Sequence, residues 1–221
     1  MTSQFFQAVL FDMDGLTIDS EPQWLEVERE LTARFGYQWT IEDQARCLGG
    51  PLSKVGQYMS EIVEGAESGE YFHQELINVM AEKVRKRAVF MPGAESLINS
   101  LHNNGIPMAL VSASPRVIVD AAIAHIQPLP FKTTISSDDV KKTKPDPEGY
   151  LKAARLLSAD IERCLILEDS LTGVSAARAS GAKVIAVPHL VEIDVDFQTK
   201  VIKSLEELDI DLLREFYTNW A

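Results

Sequence analysis

Apolar residues along this chain come in short unbroken runs, separated by longer stretches in which they recur every three or four positions. Runs of that kind, with β-branched content and no polar alternation, suit strands buried on both faces of a parallel sheet, and the three-to-four spacing suits helices. The runs lie at 7–11, 107–112, 133–136, 163–167 and 183–187. Helix signals follow two of them. Ser114 is placed to cap a helix with Pro115 at its first position, and Gly181 stands where the Ala-rich segment 171–180 should end. This alternation of strand and helix predicts an α/β fold built on a doubly wound parallel sheet.

The gap between the first run and the second breaks the rhythm, being far longer than one crossover needs. Within it, Trp24, Val27, Leu31 and Phe35 recur at helical spacing, and Leu76, Val79, Met80, Lys83 and Val84 repeat the pattern. The gap therefore reads as a small helical cap domain over 19–88, inserted into a core made of 1–18 and 89–221. The turn signal Leu48-Gly49-Gly50-Pro51 falls inside the cap, and Met91-Pro92-Gly93 marks the return to the core.

Composition narrows the partners. Among 221 residues, 46% are hydrophobic, enough for a real core, and 33 acidic residues against 21 basic ones give a net charge of -12. Such a field repels nucleic acid and anionic membranes, while a few cations inside one cleft can still hold a small anion. Cys47 and Cys164 stand far apart in no metal-binding spacing. With no signal-like start and no apolar span approaching the ~20 residues that cross a bilayer, a cytoplasmic protein without nucleic-acid or membrane partners is expected.

The chemistry collects where strands end. In open α/β sheets ligands bind at the carboxyl edge, and here the first strand leads into Asp12-Met13-Asp14-Gly15, the second into Ser112-Ala113-Ser114, and the fourth into Glu168-Asp169-Ser170, while Lys144-Pro145 lies beyond the third. Two aspartates at a strand exit, with a third from a neighbouring strand end, make a carboxylate cluster that calls for a cation, and an all-oxygen donor set favours Mg²⁺. A carboxylate can attack phosphorus, a second can carry a proton, and Ser112, the Ala113 amide and Lys144 can hold phosphate oxygens. No phosphate loop, dinucleotide fingerprint or HExxH motif competes, and His73, His102, His125 and His189 are scattered.

These residues resemble the haloacid dehalogenase superfamily of phosphotransferases, whose four motifs match Asp12-Met13-Asp14-Gly15, the strand ending in Ser112, Lys144-Pro145 and Glu168-Asp169, in order and over essentially the whole chain. The stretch 11–16 followed by Asp19-Ser20-Glu21-Pro22 is similar to the β-phosphoglucomutase-like subgroup and, within it, to bacterial hexose-phosphate and 2-deoxyglucose-6-phosphate phosphatases. The resemblance implies that Asp12 is the nucleophile and a Mg²⁺ ligand, that Asp14 is the general acid and base with its backbone carbonyl on the metal, and that Asp169, supported by Glu168, is a further ligand. Ser112, Ala113 and Lys144 would bind phosphate, and the cap would close over the core.

Two departures favour hydrolase over mutase. Mutases of the subgroup carry a histidine and a phosphate-binding arginine in the cap, where this chain has Trp24 and Gly50-Pro51-Leu52-Ser53, with only Lys54 close by. The expectation is a monomeric, Mg²⁺-dependent phosphatase acting on a small phosphorylated metabolite, a sugar phosphate first. A sugar-phosphate mutase is the alternative in mechanism. A non-catalytic binding protein of the same fold would be expected to have lost one of the four motif residues, and none is lost.

Overall fold

The computed structural model describes residues 5–47, 50–126, 129–188 and 192–220. Strands β1 (Ala8–Phe11), β2 (Met108–Val111), β3 (Thr133–Ile135), β4 (Cys164–Glu168), β5 (Lys183–Ala186) and β6 (Thr199–Val201) form one parallel sheet in the spatial order β3, β2, β1, β4, β5, β6. This is the doubly wound sheet that the apolar runs predict, with one strand more than they indicate. β6 carries only Thr199, Lys200 and Val201, too short and too polar to register as an apolar run, and it pairs because β5 offers it an edge.

Both faces of the sheet are covered, as unbroken apolar strands require. Ala8 and Leu10 of β1 join Ala109, Val111, Cys164, Ile166 and Val184 in a core cluster with Tyr150, Ala153 and Ala154 of one helix and Val174, Ala176 and Ala177 of another. Val9 and Phe11 alternate with them, point to the opposite face, and are equally buried. There Phe11 meets Phe131 edge-on at 5.7 Å between ring centres.

Among the described residues the helices are α1 (Glu21–Ala33), α2 (Ile41–Cys47), α3 (Leu52–Ile62), α4 (Gly69–Lys86), α5 (Ala94–Asn103), α6 (Arg116–Ile123), α7 (Glu148–Leu156), α8 (Leu171–Ser180) and α9 (Ile210–Trp220). Gly181 ends α8 in a left-handed conformation, φ 89°. None of these helices is long and apolar enough to cross a membrane.

The chain divides into two compact units, Met1–Asp19 with Val89–Ala221, and Ser20–Ala88. Hydrogen bonds zip the outgoing and returning strands of the larger unit together. Asp19 donates its amide to Val89 O at 2.8 Å, Met91 N donates to Thr17 O at 3.0 Å, and Ile18 bridges antiparallel to Phe90. The smaller unit holds α1 to α4. Inside it, the Asp43 carboxylate accepts from Tyr37 and Tyr58 hydroxyls and from both the amide and the hydroxyl of Thr40, which ties α2 to the loop before it. Leu48 and Gly49 of the expected turn, and His189, lie outside the described residues.

Candidate active site

The order of the strands decides where chemistry can gather. β1 lies between β2 and β4; the chain winds from β1 through β2 to β3 on one side and then crosses back to β4, β5 and β6 on the other, so the strand order reverses at β1 and β4, where a crevice is expected at the carboxyl ends. Asp12 follows β1 directly, and its amide donates to Leu167 O of β4 at 3.0 Å. Glu168 ends β4 and Asp169 follows it. Carboxylate oxygens of Asp12, Glu168 and Asp169 accordingly lie within 4.8 Å of one another.

Lys144 reaches this cluster from the loop before α7. Its ammonium is almost fully buried and donates to Asp12 Oδ1, to Glu168 Oε1 at 2.7 Å and to the backbone carbonyl of Val111 at 3.0 Å, with the Tyr150 ring 5.0 Å below it. Burial alone would lower its pKa, but the charges of Asp12 and Glu168 and the hydrogen bonds to them outweigh that and hold the ammonium protonated.

Glu168 has no exposed surface and is saturated with donors. Oε1 accepts from Lys144 and from Tyr150 OH at 2.6 Å, while Oε2 accepts from the amides of Asp169 and Ser170 and from the Ser170 hydroxyl. Its carboxylate acts through the groups it holds. Gly173 of α8 explains how so much fits: a Cβ there would lie 1.9 Å from Glu168 Oε1. Gly15 plays the same part across the crevice, since it turns at φ 79° and a Cβ on it would lie 2.3 Å from Asp169 Oδ2.

Asp14 belongs to a different subsite. Its Oδ2 accepts from the hydroxyls of Ser112 at 3.0 Å and Ser114 at 2.8 Å, so its carboxylate is turned toward the end of β2. Ala113 lies exposed between the two serines. Ser114 therefore does not cap α6: the cap position belongs to Pro115, no side-chain cap is formed there, and the serine hydroxyl is drawn instead to a carboxylate one hundred residues away in sequence. Tyr150 went unread for the opposite reason. It sits on the apolar stripe of α7, and nothing local marks its hydroxyl as the partner of a buried glutamate. Thr17, also unread, is fully buried and donates to the Asp12 carbonyl at 2.5 Å.

Charge balance tests whether a cation fits. Among the described residues the cluster of Asp12, Glu168 and Asp169 holds one ammonium, and burial, then Glu168 and the nearby Asp14, push the Asp12 carboxyl up to about 8 against the opposing pull of Lys144. A divalent ion beside Asp12 and Asp169 would supply the missing positive charge, and the donor set is hard oxygen throughout.

Residues 9–187 match the family model of the haloacid dehalogenase-like hydrolases. The bifunctional riboflavin kinase/FMN phosphatase of Arabidopsis thaliana is 31% identical over 96% of this chain, which spans only 55% of that protein's length. A phosphorylated carbohydrates phosphatase of Thermotoga maritima is 30% identical, covering 79% of this chain and 82% of its own. Among solved structures, a putative β-phosphoglucomutase from Thermotoga maritima superposes with a TM-score of 0.77 at 26% identity over 94% of this chain and 98% of that one.

Proposed function

The chain belongs to the haloacid dehalogenase-like hydrolase family and is a phosphoric monoester hydrolase, and on that premise we propose that it removes phosphate from small organic phosphomonoesters, sugar phosphates first, through an aspartyl-phosphate on Asp12. The observation that supports this reading is the position of the Lys144 ammonium between Asp12 and Glu168, a buried cation beside the carboxylate that the reading takes as nucleophile.

In the first step an Asp12 carboxylate oxygen attacks phosphorus, the bond from phosphorus to the ester oxygen breaks, and Asp14 gives its proton to the departing alkoxide. In the second, water attacks the phosphoenzyme, its proton goes to Asp14, and the bond from phosphorus to Asp12 breaks. The products are an alcohol and inorganic phosphate, and Asp14 is returned to its acid form. Lys144 neutralises charge on the transferring group, with Ser112 and the Ala113 amide as further donors. Asp12, Asp169 and the Asp14 carbonyl would hold Mg²⁺, which supplies charge compensation for the phosphoryl oxygens when bound.

Two features support sugar phosphates over bisphosphates. The phosphorylated carbohydrates phosphatase named above matches over 79% of this chain and 82% of its own length, and the 50–53 segment carries no arginine to cradle a second phosphate. The test is a screen of hexose, pentose, polyol and nucleoside phosphates with Mg²⁺ present. Release of inorganic phosphate is expected, lost on chelation, restored by Mg²⁺, inhibited by excess Ca²⁺, and abolished in Asp12→Asn. Phosphate release unaffected by Asp12→Asn would refute the mechanism, and phosphorus NMR showing isomerised sugar phosphate ahead of free phosphate would make the chain a mutase.

A further inference from the structure

Asp14 has to do two things at one place: present a proton to the leaving group, and later take one from water. A carboxyl on a free rotor does neither well, so something must fix which oxygen carries the proton. The structure offers two hydroxyls for that task, Ser112 at 3.0 Å and Ser114 at 2.8 Å, both donating to the same oxygen, Oδ2.

The two are not equivalent. A serine hydroxyl has a single proton to give. When a phosphate oxygen draws on Ser112, that proton leaves Asp14, and Ser114 is the hydroxyl that remains. Its own backbone is pinned on both sides, because its amide donates to Ser112 Oγ at 2.9 Å and its carbonyl accepts from Ser137 N at 3.0 Å. The side chain is buried, 7% exposed, and makes no helix cap that would compete for the hydroxyl.

We propose that Ser114 is the positioning residue of the general acid and base: by donating to Oδ2 of Asp14 it leaves the other carboxylate oxygen to carry the proton toward the ester oxygen. This deepens the phosphatase reading and rests on it.

A positioned acid matters most when the leaving group is a strong base. In Ser114→Ala, the ratio of kcat for a sugar phosphate to kcat for p-nitrophenyl phosphate should fall roughly tenfold, a part of the 10²–10⁴ that a general acid contributes. Ser114→Thr, which keeps the hydroxyl, should restore the ratio. Binding of inorganic phosphate, read by calorimetry without turnover, should weaken in Ser112→Ala but hold in Ser114→Ala. In an Asp14→Asn background the Ser114 substitution should change the ratio no further, the non-additivity expected of residues acting as one unit.

Equal loss on both esters, unchanged ratios, or full additivity with Asp14→Asn would each overturn the assignment, and a lowered melting temperature with an unchanged ratio would reduce Ser114 to a packing residue. A wild-type protein that releases phosphate from neither ester would overturn the parent reading as well, and it would show before any variant is made.

Discussion

Glu168 in the larger unit and Glu28 in the smaller one are both buried, with 0% and 4% of their surfaces exposed, yet their surroundings differ in kind. Every oxygen of Glu168 meets donors, and one of those donors is the Lys144 ammonium. Among the described residues no cation pairs with Glu28. Its Oε2 meets no partner among the described residues, and burial, with the charge of Glu21 adding to it, pushes its carboxyl up to about 8. Hydrogen bonds from Trp39 and Gln44 pull the other way, but they do not offset the loss of water around the charged form. The sheet crevice surrounds Glu168 with donors and a cation; in the helical insert burial outweighs what Glu28 is offered and raises its pKa.

The largest effect should come from breaking the furnished side. Lys144→Ala leaves Asp12 and Glu168 buried without their cation, so phosphate release should fall roughly 10²–10³-fold or more and stability should drop by about 3–5 kcal/mol, read by urea denaturation at neutral pH. A loss no larger than that of a surface lysine would show that Glu168 does not depend on the pair.

The next effect is smaller and has the same sign. Glu168→Gln keeps shape but turns an amide NH₂ toward groups that all donate, at a cost of about 1–3 kcal/mol with a loss of turnover. If the variant is as stable and as active as the parent, the donors around Glu168 are incidental.

The same substitution at Glu28 should go the other way. The unfolded carboxyl titrates near its ordinary 4.5 and the folded one near 8, so between those values the folded protein holds a proton that the unfolded chain has released. That contribution to stability is fully present below 4.5 and is lost as pH rises through about 8. Glu28→Gln cannot ionise. It should therefore gain on the parent as pH rises, by about 1–3 kcal/mol on the alkaline side, and urea melts of both proteins at mildly acid and mildly alkaline pH measure the gain. Parallel pH profiles would remove the contrast between the two glutamates.

The parts of the site that lie in one short stretch of chain were readable from it. Asp12, Asp14 and Gly15 follow a buried run, and Glu168 and Asp169 follow another, so position in the strand was enough to single them out. Ser114 and Tyr150 were not readable in their actual settings, because each is defined by a partner far along the chain, Asp14 for one and Glu168 for the other. A serine before a proline reads as a cap and a tyrosine on an apolar stripe reads as core. A distant carboxylate overrides the first and adds to the second, since Tyr150 is core and its hydroxyl also holds Glu168. Gly173 is a third case: as a helix residue it looks like a weak point, and its reason is the Glu168 carboxylate pressed against it.

By itself the sequence determined five of the six strands, the helical character of the stretch between the first and second of them, and the carboxylates and lysine beyond their ends, because burial on both faces demands unbroken apolar runs and the polar residues that interrupt them stand out. What the tertiary structure alone decided is the pairing: that Lys144 lies between Asp12 and Glu168, that Asp14 turns to two serines, that β6 adds to the edge, and that one buried glutamate is ringed by donors while another keeps an oxygen with no partner among the described residues. Side-chain pairing depends on which strand ends become neighbours. That order, with β1 set between β2 and β4, is a property of the folded sheet and of no segment within it.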